Sequence, residues 1–296
     1  MNHLLAQKSI ADFKKGDKAM ITRGSHDSWL IMNDENEVAF LSPHSGTVNL
    51  YMIDLDDFNF IKTNKKGLLM AEYIAYKSYL KEYTPITNYS NGAMDSPEFS
   101  PNGHLIAFRR YTKDTANSNG LKSWEIPWKF SLMLVDNRTK KMDTLIWEEV
   151  SALTFLSDST ILFQQEKNDS NWLKVINIHS KEVTNHIPIK TIVRGITSDD
   201  EYILVHENLK ASLFDKNTGE LIETYDVPAA MQRVTFMEDY LILTPRGIGS
   251  SFMKISNGKI KRIVGSYDYE PSVSHNKEFV IVVSENFGGG IIYKLK

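Results

Sequence analysis

Short apolar runs alternate with polar turns along the whole chain, and one pattern recurs. An apolar residue ends a strand, a polar turn follows, and an apolar strand leaves it. The clearest copy is Pro97-Glu98-Phe99-Ser100-Pro101-Asn102-Gly103-His104-Leu105-Ile106-Ala107-Phe108. Its Pro-Asn-Gly suits a tight hairpin, because Asn and Gly tolerate positive φ. The frame also fits Ile31 through Phe40, Ile196 through Val205 and Val273 through Val282. Shorter versions run from Phe155 to Phe163 and from Phe236 to Leu243. The anchors at 31, 99, 155, 196, 236 and 273 are spaced by 68, 56, 41, 40 and 37 residues. The last three spacings approach one propeller blade of about 40–45 residues, and the first two require insertions.

A third apolar strand follows each hairpin, as in Asn49–Asp54, Ser131–Asp136 and Ala211–Asp215. A more polar fourth strand follows that, as in Glu220–Thr224, and suits a sheet edge facing water. Six such units predict an all-β, six-bladed propeller of four-stranded antiparallel blades, with residues 1–296 as a single domain. The sixth unit runs out of chain after its third strand. Lys18–Gly24 precedes the first anchor and is the candidate to complete that unit by pairing with Gly290–Lys296. Leu69, Tyr73, Tyr76, Leu80 and Tyr83 recur at helical spacing, so a helix over 68–83 is expected as an insertion. Residues 112–129 form a second insertion, and 1–16 an N-terminal extension with a short helix over about Leu4–Lys14. Gly288-Gly289-Gly290 reads as the hairpin into the last strand.

The repeat resembles that of the TolB-like, or WD40-like PD40, β-propeller family. That repeat has Leu-Thr, a short gap, Asp, then Pro-x-Phe-Ser-Pro-Asp-Gly and Ile-Ala-Phe. Here Ile86-Thr87, Asp95, Pro97 through Gly103 and Ile106-Ala107-Phe108 match almost throughout. Ile21-Thr22, Asp27 and Val38-Ala39-Phe40 match in part, as do Tyr267-Asp268 and Pro271 through Ser274. The resemblance implies a scaffold that hosts unrelated functions, among them periplasmic partner binding and the propeller domains of serine peptidases.

Composition narrows the chemistry. With no cysteine there is no disulfide, thiolate metal site or cysteine nucleophile. A formal net charge of −3 gives no global pull toward nucleic acid or an anionic membrane. No apolar run approaches the ~18–20 residues that span a bilayer. Met1–Lys8 carries neither a long apolar segment nor a small-residue cleavage site, so no secretory signal and a cytoplasmic, monomeric protein are expected.

Catalytic motifs are sparse. There is no Gly-x-Ser-x-Gly, no P-loop and no histidine set with metal spacing. Two groups remain. Asp27, Asp95, Asp268 and Tyr269 precede their anchors by four or five residues, where an inner strand begins near a channel mouth. Arg194 and Arg233 lie close to equivalent positions. These six residues form either a polar pocket or a set of turn caps in which each Asp bonds its own backbone. The second group is Arg109, Arg110, Tyr111, Trp124 and Trp128, in or beside the second insertion. Arginine and tryptophan are enriched at binding hot spots, although the tryptophans could equally cover the propeller face. The expected function is non-catalytic binding of a protein or peptide, without nucleic acid, membrane or cofactor. The alternative is a hydrolase or lyase acting on a small polar substrate in the channel, with Asp27, Asp95 and Asp268 holding a divalent cation.

Overall fold

The computed structural model describes residues 8–23, 27–63, 67–75, 83–115, 122, 125–165, 172–190, 192–207, 209–227, 231–237, 240–245, 251–254, 260–262, 268–284 and 289–296. Contacts group the chain into two compact units. One comprises Met1–His44, Leu50–Ile86 and Gln232–Lys296, and the other Ser45–Asn49 and Thr87–Met231.

The first unit opens with β1 (Lys18–Met20), β2 (Ser28–Met32), β3 (Glu37–Ser42), β4 (Asn49–Asp54), β5 (Phe60–Lys62), β6 (Leu69–Ala71), α1 (Glu72–Ala75) and β7 (Thr84–Pro85). The second unit follows with β8 (Ala93–Phe99), β9 (Leu105–Lys113), β10 (Trp128–Asp136), β11 (Met142–Ile146), β12 (Val150–Ser157) and β13 (Thr160–Gln165). It continues with β14 (Trp172–Asn177), β15 (Val183–Pro188), β16 (Gly195–Ser198), β17 (Tyr202–His206), β18 (Lys210–Asp215) and β19 (Leu221–Asp226). The chain then returns to the first unit for β20 (Met231–Met237), β21 (Tyr240–Pro245), β22 (Ser251–Lys254), β23 (Ile260–Arg262), β24 (Asp268–Val273), β25 (Phe279–Ser284) and β26 (Gly289–Lys294).

These strands build the four-stranded blades of a β-propeller. The sheets β2-β3-β4-β7, β8 to β11, β12 to β15, β16 to β19 and β20 to β23 each have four strands. The expected six four-stranded blades are therefore corrected to five. The remaining sheet has six strands, in the order β24-β25-β26-β1-β6-β5. Within it the two chain ends pair: Lys18 lies opposite Tyr293, Ala19 opposite Ile292 and Met20 opposite Ile291. The outer edge of β1 would otherwise face water with open backbone groups. Strand β6 covers it in parallel, Ala19 opposite Leu69 and Met20 opposite Met70.

That edge explains why the helix expected over 68–83 does not form as drawn. Leu69–Ala71 is strand and only Glu72–Ala75 is helical; residues 76–82 lie outside those described. The stripe fits a helix by spacing, but the open ladder of β1 and the core under it favour a hairpin. Phe60, Leu68 and Ala71 are buried there with Ile10 and Phe13. The N-terminal helix is likewise reduced to one 3-10 turn, Ile10–Asp12, with Lys8 bridged to Phe60 and residues 1–7 outside those described.

The apolar end of the frame is core in every copy whose burial is described. Phe40, Phe108 and Phe163 are wholly buried, with Val205 and Val282 at the matching position. Each buried aromatic contributes about 1.5–3 kcal/mol by leaving water. The polar turns bond among themselves. Asn102 N–H donates to Asp158 Oδ1 at 2.8 Å, and Asn276 N–H to Asp34 Oδ1 at 2.7 Å. Donor and acceptor occupy the same place in the frame, so one turn latches onto the next.

Gly289 and Gly290 lie inside β26 rather than in a hairpin turn. A Cβ on Gly289 would stand 2.0 Å from the Thr22 carbonyl oxygen, and one on Gly290 2.2 Å from Leu30 Cδ2. The glycines allow the N-terminal segment to approach, and Gly290 N–H donates to Thr22 Oγ1 at 2.8 Å. Among the described residues no helix is long and apolar enough to cross a membrane.

Candidate functional site

The second insertion is narrower than expected, because β9 and β10 extend their ladder through it. Trp128 pairs with Lys113, Lys129 with Thr112 and Phe130 with Tyr111. The hairpin thus carries Arg109, Arg110 and Tyr111 on one strand and Trp128 on the other. Trp124 lies outside the described residues.

A β-bulge separates Asp95 from Glu98 in β8 and sets Asp95 directly opposite Arg109. Bulges re-aim side chains at the ends of strands. The pair is joined side-on, with Arg109 Nε donating to Asp95 Oδ1 at 2.5 Å and Nη2 to Oδ2 at 2.8 Å. Arg109 Nη1 also reaches the neighbouring inner strand, donating to the carbonyls of Val150 and Ser151 at 2.8 and 2.7 Å. Tyr111 Oη donates to Asp95 Oδ2 at 3.4 Å. Burial and the Asp95 charge push the Tyr111 hydroxyl above its ordinary range, so it stays protonated and remains a donor. Asp95 therefore bonds across the ladder, not to its own turn as the capping reading supposed.

Around this pair lies a cavity of about 300 Å³ lined by Asp95, Arg109, Arg110, Tyr111, Phe130, Ser131, Glu149 and Val150. Its aromatic wall continues into Trp128, whose ring meets Tyr111 edge-on at 5.9 Å. Trp128 is 46% exposed. Lys113 Nζ sits 4.3 Å from the Trp128 ring centre. The Arg110 guanidinium lies 3.9 Å from the ring centre of Tyr89. Burial raises Tyr89 above its ordinary range, with Arg110 opposing the shift.

The Tyr89 loop is held from below by Asn49, which is buried. Its Oδ1 accepts from Tyr89 N–H at 2.7 Å and from Thr87 Oγ1 at 2.9 Å, while its Nδ2 donates to the Tyr89 carbonyl at 3.0 Å. Gly92, at φ 86°, packs so tightly that a Cβ would stand 2.5 Å from the Tyr111 carbonyl oxygen.

The other predicted residues stand elsewhere. Asp27 is buried in the first unit, its Oδ1 3.7 Å from His44 Nε2. The His44 ring packs on Tyr51 and Tyr83. Arg194 is exposed, and its N–H donates to the His206 carbonyl at 2.7 Å. Arg233 lies on β20, and Asp268 and Tyr269 on β24; their side chains are outside those described. Of the eleven candidates, the structure gathers Asp95, Arg109, Arg110, Tyr111 and Trp128 into one place.

The sequence did not signal Tyr89, Phe130, Ser131 or Glu149. Phe130 was open to inference, because continuing the hairpin register through the insertion sets it opposite Tyr111. Also unsignalled was the position one past the frame. There Arg109 has counterparts in Gln164, whose Oε1 accepts from Val193 N–H and Ser151 Oγ at 2.8 Å each, and in buried His206. Among the described residues no cluster of three or more His, Asp or Glu side chains could hold a metal ion.

No protein-family model matches the sequence, and no curated protein does. By structure the chain is similar to TolB from Acinetobacter baumannii, with a TM-score of 0.58 and 13% identity over 88% of this chain and 63% of that one. It is also similar to the β-propeller domain of Cps50 (Swd1) from Myceliophteria thermophila, at 0.56 and 12% over 94% and 100%. A third is a chain of a nidogen/laminin complex, at 0.55 and 9% over 83% and 80%. At such identities the likeness is one of fold, and it agrees with the TolB-like repeat read in the sequence. The chain spans under two thirds of the TolB structure's length.

Proposed function

We propose that this propeller is a non-catalytic scaffold that binds a protein or peptide partner at the cavity and the β9–β10 extension beside it. One observation carries the reading: Tyr111, Phe130 and Trp128 continue as one aromatic wall from the cavity to an exposed tryptophan, next to Arg110. Aromatic and arginine side chains grouped around a pocket are the residues that dominate interface energetics. The hairpin is a rigid ladder at this point, so presenting these groups costs little ordering entropy. The nidogen/laminin structure, similar in fold, is a complex of two proteins and supports the same class of function.

The metal-assisted alternative gains less support. Both Asp95 oxygens accept from Arg109, so a cation at Asp95 would first have to displace a side-on guanidinium.

A photo-crosslinking residue in place of Trp128 tests the proposal in host lysate, with the same residue in place of exposed Trp147 as control. A discrete adduct from position 128, absent from position 147, is expected. Identical adduct patterns from both positions, or none from position 128, would overturn the proposal.

A further inference from the structure

The cations of the β9–β10 hairpin divide into two kinds. Arg109 is paired with Asp95, and Lys129 with Asp114 at 2.9 Å. Arg110 and Lys113 have no carboxylate partner among the described residues. Each is instead seated on a ring, Arg110 over Tyr89 and Lys113 over Trp128. Their hydrogen bonds are weak ones to neutral groups: Arg110 Nη2 to Asn91 Oδ1, and Lys113 Nζ to the Ile126 carbonyl, both at 3.4 Å. A cation resting on an aromatic face is held in place while most of its donors stay available.

We infer that the partner segment taken here is an acidic peptide carrying aromatic or aliphatic side chains, whose carboxylates meet Arg110 and Lys113. This rests on the reading that the hairpin is a partner-binding face. Charge complementarity selects the acid, because the two cations are uncompensated while the other two are already neutralised. Tyr111, Phe130 and Trp128 select apolar neighbours for it. Arginine recognises carboxylates through paired donors, and stacking on Tyr89 fixes the plane of that fork. A single-stranded nucleic acid would also find cations and rings, but its closely spaced phosphates would meet Glu149 in the same lining. A peptide can place its few carboxylates clear of Glu149.

Fluorescence anisotropy on the full chain tests this. Three labelled peptides share one sequence except at their charged positions, which hold Asp, Asn or Lys, each alternating with Phe. The Asp peptide should bind at least about tenfold more tightly than the Asn peptide, with the Lys peptide weakest. That advantage should vanish in the Arg110→Gln/Lys113→Gln variant, whose circular dichroism serves as the folding control. If that variant unfolds, Glu149→Gln takes its place and should tighten the Asp peptide at least about twofold. Equal or better binding of the Asn or Lys peptide overturns the acid preference and leaves partner binding standing. An oligothymidine that displaces the Asp peptide at lower concentration overturns the choice of peptide. Failure of all three peptides, together with no crosslink from position 128, ends both readings.

Discussion

The main-chain N–H of Asn276 donates to the Asp34 carboxylate, tying together turns 242 residues apart. The same contact recurs between Asn102 and Asp158. Both acceptors are charged, which strengthens the bond, and both are exposed, which limits its net effect. Asp34→Ala and Asp158→Ala should each cost about 1 kcal/mol of stability in urea titrations. Asp34→Asn, which keeps an acceptor, should recover most of it. An unchanged midpoint for both Ala variants would show that the latches contribute nothing measurable.

A side chain at Gly290 has nowhere to go. Gly290→Val must displace Leu30 and Thr22 and should part β26 from β1. Overpacking of this kind typically costs about 1–3 kcal/mol, and more where backbone must move. Removing residues 1–24 should be at least as damaging, because β1 is the strand that continues the sheet beyond β26. Thermal melts of both variants should show a lower, broader transition for the whole chain, not the loss of a separate small step.

Arg109 is braced by Asp95 and by the carbonyls of Val150 and Ser151. Arg109→Met leaves a partly buried carboxylate and two carbonyls without that donor, at a cost of about 2 kcal/mol after allowing for partial exposure. Arg109→Lys restores charge but not the side-on fork, so its melting temperature should fall between the two. A Lys variant as unstable as Met would show that geometry, not charge, holds the pair.

His206 is buried, and burial with Arg194 nearby pushes its imidazole down from 6.5 to about 4. The unfolded chain takes up a proton as pH falls through about 6.5, while the folded chain does so only near 4. The group's contribution is therefore intact above about pH 6.5 and is lost progressively toward pH 4, by about 3 kcal/mol in all. His206→Gln should flatten that part of the stability–pH curve in urea titrations. A curve with the same slope in wild type and variant would assign the acid sensitivity to other groups.

The repeating hairpins were legible because a polar turn between two apolar strands is a local signal. The pairing of the chain ends was legible too, because a unit with three strands needs a fourth. The Asp95–Arg109 pair lay half in view: both residues stood out singly, but the bulge that sets them opposite each other leaves no local mark. Tyr89 and Asn49 were invisible, since what makes them matter is a contact across 40 residues of chain. The stretch around Leu69 was misread because its spacing satisfies a helix. An unpaired edge on β1, distant in sequence, decided the outcome instead.

That edge also bears on the order of assembly. Strand β1 emerges from the ribosome near the start of synthesis, whereas β26 emerges last. The β5–β6 hairpin follows β1 by some fifty residues, so β1 has a parallel neighbour long before its antiparallel one exists. The hairpin thereby gives the nascent N-terminus somewhere to wait. It shields an apolar strand from stray pairing until the other end of the chain arrives.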